Sequence, residues 1–385
     1  MDRLRQSVAV SAKFCSTPEE LCIAQAAWKD YYAISGDMDL EGLFLGDERR
    51  FNRDYVQRTV ARCGRVYRYV DPQFKEDRKI TLAAIGRWHG AYYYAHDSLS
   101  LDRGFAEEAF ALNFNVLPLI KNPTENMRTE YSRMVMRLRE LGIEFPERLN
   151  TRTASEIIRN RENLHGIDPT RIALFAFPTY DWNRAFTHHN IADFIEMGYL
   201  ALYYESASAL DFSSMRRELG TIPGIEGSIP FFEMAAHSSI LSSSFGGADP
   251  TLVAQVDPDR SFDSTDTTRG IAAELFRMRN FLALLSVLSV RGCGAGGGRS
   301  AILNVANSLA NIFLQCRVLA PTLPTNILAY EFDRARVARA VYFDDGVDYA
   351  VEATMDETPD MPGPFAASAD FTAANIALGA QLMQH

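Results

Sequence analysis

The sequence predicts an α/β fold, a mostly parallel sheet flanked by helices, preceded by an all-α N-terminal domain. Two observations predict it. Over residues 1–165 the apolar positions recur at three- and four-residue spacing and no period-two alternation competes with them. After Gly166-Ile167-Asp168-Pro169 the pattern changes, and short apolar runs alternate with helical segments, the order that builds parallel sheets covered on both faces. The chain thus divides into a helical part (1–165), an α/β part (166–355) and a C-terminal tail (356–385) rich in Pro and Ala.

Taken in order, Thr17-Pro18-Glu19-Glu20 offers an N-cap, a proline at the first helical position and a capping-box Glu. A helix through Ala26, Ala27 and Tyr31 follows. Met127, Tyr131, Met134, Leu138 and Leu141 line one helical face, with Gly142 as its stop signal. Thr153-Ala154-Ser155-Glu156 reads as a second capping box. In the α/β part the apolar runs are Arg171 to Phe177, Tyr199 to Tyr204, Ile229 to Ala236, Phe281 to Val290 and Cys316 to Ala320. Helices are expected over Ala185 to Met197, Phe212 to Leu219, Ile271 to Met278, and through Ile302, Val305, Leu309 and Ile312. Ile327 to Phe332 is a further run. Val337 to Phe343 and Val347 to Ala353 flank Asp344-Asp345-Gly346, a hairpin signal.

Composition narrows the function. Hydrophobic content of 47% with 23% charged residues fits a globular chain with a sizeable core. A net charge of −10 with no Lys/Arg block argues against nucleic acid and anionic membranes as partners. Five sparse cysteines (15, 22, 63, 293 and 316) do not form a disulfide framework, and a reduced, cytoplasmic setting fits them. The run Val8-Ala9-Val10 is too short for a secretory segment, and the longest apolar run is about half a membrane span.

Ligands of open α/β sheets bind outside the carboxyl ends of the strands. The third run leads into Ala236-His237-Ser238-Ser239, and the fourth into Arg291-Gly292-Cys293-Gly294. If these two strands are neighbours, a thiol and an imidazole meet at one sheet edge, as nucleophilic thiol catalysis needs. The glycines around Cys293 let a substrate backbone approach and leave N–H groups free for an oxyanion. A helix shortly after Cys293 would favour its thiolate.

This order of elements resembles the caspase, legumain and clostripain group of cysteine peptidases, and bacterial caspase-like domains in particular. Ser289-Val290-Arg291-Gly292-Cys293-Gly294 is similar to the caspase pattern around its nucleophile, and the separation from His237 to Cys293 (293 − 237 = 56) is near the ~50 of caspases. Pro178-Thr179-Tyr180-Asp181-Trp182-Asn183 resembles the substrate-facing loop of bacterial caspase-like proteins, Phe245-Gly246 the hairpin after the His strand, and Asn304 to Ala310 with Ala320-Pro321-Thr322 the helix and strand after the Cys. The resemblance covers residues 166–355 and not the helical part.

The resemblance implies a cysteine endopeptidase with Cys293 as nucleophile and His237 as general acid and base, with no metal or organic cofactor required. It implies backbone oxyanion donors at Ser238 and Cys293, and substrate contacts from Asp181, Asn183 and Arg184. Asp181 would suit a basic residue before the cut and Arg184 an acidic one, and the sequence leaves that choice open. Its partner would be a protein or peptide substrate, with a regulatory or assembly partner at the helical domain. One position departs from the family, because Ser238 stands where it has Gly. A catalytically inactive caspase-like scaffold is therefore one alternative. A nucleotide-binding protein using Gly292, Gly294 and Gly297 is another, although no acidic residue for a ribose stands in Cys316 to Pro321. Cys15, Cys22, Cys63 and Cys316 are expected to pack. His188-His189, His89 and His96 are not expected to bind metal.

Overall fold

A computed structural model describes residues 48–62, 64–179, 189–238, 242–245, 258–263, 268–291, 305–320, 327–333 and 336–342. Every described element before residue 172 is a helix or a 3-10 turn. Ten strands follow among the described residues: β1 (Ile172–Pro178), β2 (Leu200–Ser206), β3 (Ile229–Ala235), β4 (His237–Ser238), β5 (Ser242–Ser244), β6 (Ser261–Asp263), β7 (Leu282–Arg291), β8 (Arg317–Leu319), β9 (Ile327–Asp333) and β10 (Arg336–Tyr342).

The central sheet has the order β2-β1-β3-β7-β8, and every pairing in it is parallel. All seven residues of β1 are buried, as a central strand covered on both faces requires. One face packs Leu174, Phe232 and Leu288 against the helices Ala209–Leu219, Gly270–Met278 and Val305–Ile312, through Phe212, Leu275 and Leu309. The opposite face carries Phe175, Phe177, Phe231 and Tyr203. It is covered by Phe194 of the helix His189–Glu196, and by Met134, Leu138, Ala154 and Ile157 of the helices Glu125–Glu140 and Thr151–Glu162. Phe194 sits 4.2 Å from Phe231 and 5.3 Å from Phe175, centroid to centroid. Burying each such phenylalanine is worth about 1.5–3 kcal/mol. A third cluster, built around Val60, Tyr67, Ile85 and Phe105, lies within residues 55–127. Phe114 and residues 134–157 thus share a core with the sheet, while the segment before them, together with Val116, Ile120 and Met127, has its own.

The five runs expected in residues 171–320 all appear as strands of this sheet, with bounds shifted by one or two residues. The helix Glu125–Glu140 begins at an N-cap Thr124, whose side chain accepts from the Met127 N–H. It is followed by Gly142 in the left-handed region at φ +75°, which a side chain would resist. The expected cap at Thr153 is corrected. Asn150 caps that helix, its Oδ1 accepting from the Thr153 N–H at 2.9 Å, so the Thr-x-x-Glu pattern falls inside the helix. Val337 to Phe343 shows a pairing the sequence did not signal. β10 runs antiparallel to β9, so its partner precedes it, and Asp344-Asp345-Gly346 with Val347 to Ala353 lies outside the described residues. The antiparallel sheet β4-β5-β6 was legible only in part, through Phe245.

β7 departs from regular pairing near its start. Ile229 faces Leu282 and Phe231 faces Val287, so β7 advances five residues while β3 advances two. The bulge puts Leu285 at φ +60° and leaves Leu284 and Leu285 exposed. Past it the ladder is regular to the carboxyl end, where Ala235 faces Arg291.

Candidate active site

The site is the carboxyl edge of the central sheet. β1 has β2 on one side and β3 on the other, so the strand order reverses at β1, the place where such sheets bind ligands. Next to β3 lies β7. Glu233, Met234 and Ala235 face Ser289, Val290 and Arg291 in register, and the Ala236 N–H donates to the Arg291 carbonyl at 3.0 Å. The two strands therefore leave the sheet side by side, at matched height.

His237 and Cys293 each stand two residues beyond this last matched pair. His237 opens β4, whose backbone is fixed by antiparallel pairing with β5, His237 facing Ser244 and Ser238 facing Ser243. β5 is held in turn by β6. Phe245, just past β5, is buried and meets Phe212 edge to face at 5.1 Å, which ties the hairpin to the core below. The hairpin expected after the His strand is thus present. Cys293, the glycine loop 292–297, and Asp181, Asn183 and Arg184 lie outside the described residues, as do the side chains of His237 and Ser238.

Directly beneath this edge the structure holds a buried polar network. Arg291 and Glu233, with side chains 1% and 0% exposed, pair across β7 and β3 at 3.5 Å. The Tyr330 hydroxyl of β9 donates to the other Glu233 oxygen at 2.9 Å and lies 2.7 Å from the Ser289 hydroxyl. Burial pushes the Glu233 carboxyl above its ordinary range, and Arg291 and the Tyr330 hydroxyl oppose that. The Arg291 guanidinium also lies 5.8 Å from the Phe177 ring.

A second buried carboxylate, Glu205, stands at the end of β2. Its side chain is 0% exposed. It accepts from the Glu144 N–H at 2.8 Å and from the Tyr203 hydroxyl at 3.2 Å, and Arg148 lies at 3.8 Å. Burial lifts its carboxyl from the ordinary 4.5 to about 7 against the pull of these donors. Buried titratable groups with specific partners at a sheet's carboxyl end mark a functional candidate.

No family model matches this chain, and no curated protein or solved structure matches it. The site therefore stands on its own geometry. Cys316 illustrates the contrast a reactive thiol requires. It is buried, its sulfur lies 3.0 Å from the Ser286 hydroxyl, and burial pushes its thiol up to about 12, so it carries essentially no thiolate at neutral pH. The sequence reading missed Glu205, Glu233, Arg148 and Tyr330. A signal was present for two of them: Phe231-Phe232-Glu233-Met234 and Leu202-Tyr203-Tyr204-Glu205 each place a carboxylate in an apolar strand. Among the described residues no helix is long and apolar enough to cross a membrane.

Proposed function

We propose that this chain is a caspase-like cysteine endopeptidase whose nucleophile is Cys293 and whose general acid and base is His237. One observation carries the reading: β3 and β7 are parallel neighbours in register to Ala235 and Arg291, each two residues short of a candidate side chain. Neighbouring parallel strands are about 4.8 Å apart, within the reach of a sulfur and an imidazole on adjoining chains.

In this reading the imidazole takes the proton of the Cys293 thiol, and the sulfur attacks the scissile carbonyl carbon. Backbone N–H groups of Cys293 and Ser238 hold the oxyanion. Collapse breaks the C–N bond, His237 gives its proton to the leaving amine, and a thioester remains. Water, deprotonated by His237, cleaves the thioester and releases acid and thiol. Asp181, Asn183 and Arg184 follow β1, the strand next to β3, and are the proposed substrate contacts. The helical domain in front is the proposed seat of regulation or assembly, and the cytoplasm the proposed compartment.

A second reading, an inactive caspase-like scaffold, draws on Ser238, whose side chain replaces a glycine hydrogen beside the oxyanion position. The nucleotide-binding reading is weaker. The loop 292–297 follows β7 rather than the strand where the order reverses, and β8 ends on Leu319 without a carboxylate. A peptide-library digest with wild-type and Cys293→Ala protein tests the proposal. Cleavage by the wild type alone supports a peptidase, and identical digests, cut or uncut, refute it.

A further inference from the structure

Arg148 belongs to a 3-10 turn, Pro146–Arg148, between the helices Glu125–Glu140 and Thr151–Glu162. Its Nη1 donates to the carbonyl of Pro178 at 2.8 Å. Pro178 is the last residue of β1, the strand at which the sheet order reverses. The same nitrogen lies 3.8 Å from Glu205, at the end of the adjoining strand β2. The Arg148 side chain is 13% exposed, and its guanidinium lies 4.6 Å from the Phe145 ring. One cation from the helical region thus spans the carboxyl ends of two neighbouring strands, and the carboxylate that anchors it is inaccessible to water.

Among the described residues, other charged and titratable groups near Glu205 are few. Tyr203 is on its own strand and stays protonated, because burial raises its hydroxyl well above the ordinary value. Arg161 of the helix Thr151–Glu162 donates to the Tyr203 carbonyl, and is itself paired with Glu218 at 2.7 Å. Glu144 offers its backbone N–H while its own side chain is exposed. Among the described residues, Arg148 is therefore the cation paired with Glu205.

We propose that Arg148 is a positioning residue which, anchored by Glu205, holds the carboxyl end of β1 at the candidate active site from the helical region, and that ionisation of Glu205 sets how firmly it does so. The relevance to catalysis rests on the peptidase reading; the clamp itself does not. Above neutrality Glu205 is a carboxylate and fixes Arg148 over Pro178. Below it the carboxyl is protonated and the pairing weakens. The pairing needs the carboxylate and so weakens as pH falls through about 7, while burial, which raises that carboxyl, makes its ionisation cost the fold as a whole some stability.

Amide hydrogen exchange of the full-length protein, read on peptides covering 172–179 and corrected for intrinsic rates, tests the clamp without requiring activity. In the wild type, exchange there, taken relative to that of 282–291 so that the global pH dependence of stability cancels, should rise as pH falls from 8 to 6. Arg148→Met should raise it about ten- to a hundredfold at pH 8, the effect of losing one charge-assisted bond, and leave 282–291 unchanged. Glu205→Gln should abolish the pH step. Arg148→Lys, which keeps the charge and loses the fork, should fall between and serves if the methionine variant does not fold. Unchanged exchange in Arg148→Lys and Arg148→Met, or a pH step that survives Glu205→Gln, overturns the clamp. Where the wild type cleaves peptides, Glu205→Gln should also shift the pH profile of kcat/KM. A clamp seen by exchange in a protein that cleaves nothing would refute the peptidase reading alone.

Discussion

Replacing Arg291 by methionine removes the cation of the buried network and leaves Glu233 in place. The two side chains are 1% and 0% exposed, so the abandoned carboxylate has no access to water. Taking one partner from a buried pair costs about 3–5 kcal/mol. The Tyr330 hydroxyl still donates to Glu233 at 2.9 Å, and the lost contact is long at 3.5 Å, so the loss belongs at the lower end, about 3 kcal/mol. At about 2.1 cal/mol/K of unfolding entropy per residue, a 385-residue chain that unfolds as a unit loses roughly 4 °C in Tm. Burial already raises the Glu233 carboxyl, and without Arg291 it rises further, so the variant takes up a proton and the deficit shrinks from pH 8 to pH 5.5. Adding Glu233→Gln to Arg291→Met should recover at least half of the loss at pH 8. Denaturant unfolding of wild type, both single variants and the double at the two pH values measures all of this. Stability of Arg291→Met within about 0.5 kcal/mol of wild type at pH 8 would show that the network does not hold this edge of the sheet.

Two further outcomes follow from particular residues. The Glu205 carboxyl titrates at about 7 in the folded chain and ordinarily at 4.5. Its contribution to stability is therefore full below 4.5 and is lost as pH rises through about 7, a change of about 3 kcal/mol at about 1.4 kcal/mol per pH unit. Glu205→Gln should remove this slope from unfolding curves taken between pH 5 and 8, and an unaltered slope contradicts the assignment. Gly270 has φ +56°, and a Cβ there would lie 1.7 Å from the Pro258 carbonyl oxygen, which accepts from the Ile271 N–H. Gly270→Ala should cost at least ~2 kcal/mol in thermal unfolding, and a neutral result would contradict the close approach of that loop to the helix start.

The sheet was readable because its strands are largely buried. Ile172–Pro178 and Leu282–Arg291 contain long apolar runs, and the alternation with helices excludes most orders other than a parallel one. What the sequence could not supply was tertiary. Asn150 rather than Thr153 caps its helix because two adjacent segments both offer acceptors, and packing selects between them. β10 pairs with β9 because the Val337 and Tyr330 side chains join one buried face, a contact that a local turn signal cannot encode. The candidate pair Cys293 and His237 was proposed from residue type and strand order, of which the structure describes the order of the two strands that lead to them. The site was illegible at Arg148 and Glu205, 57 positions apart in sequence (205 − 148), where only the fold brings a cation and a carboxylate together.

A thiol-directed peptidyl probe, applied to the native protein and read by intact mass and peptide mapping, decides whether residue 293 is the nucleophile. One equivalent of label should appear on Cys293, survive Cys316→Ala because that thiol is buried and raised to about 12, and vanish in Cys293→Ala and fall sharply in His237→Ala. Label on another cysteine, or none on a folded wild-type protein, would contradict the peptidase reading and leave the sheet edge as a binding scaffold.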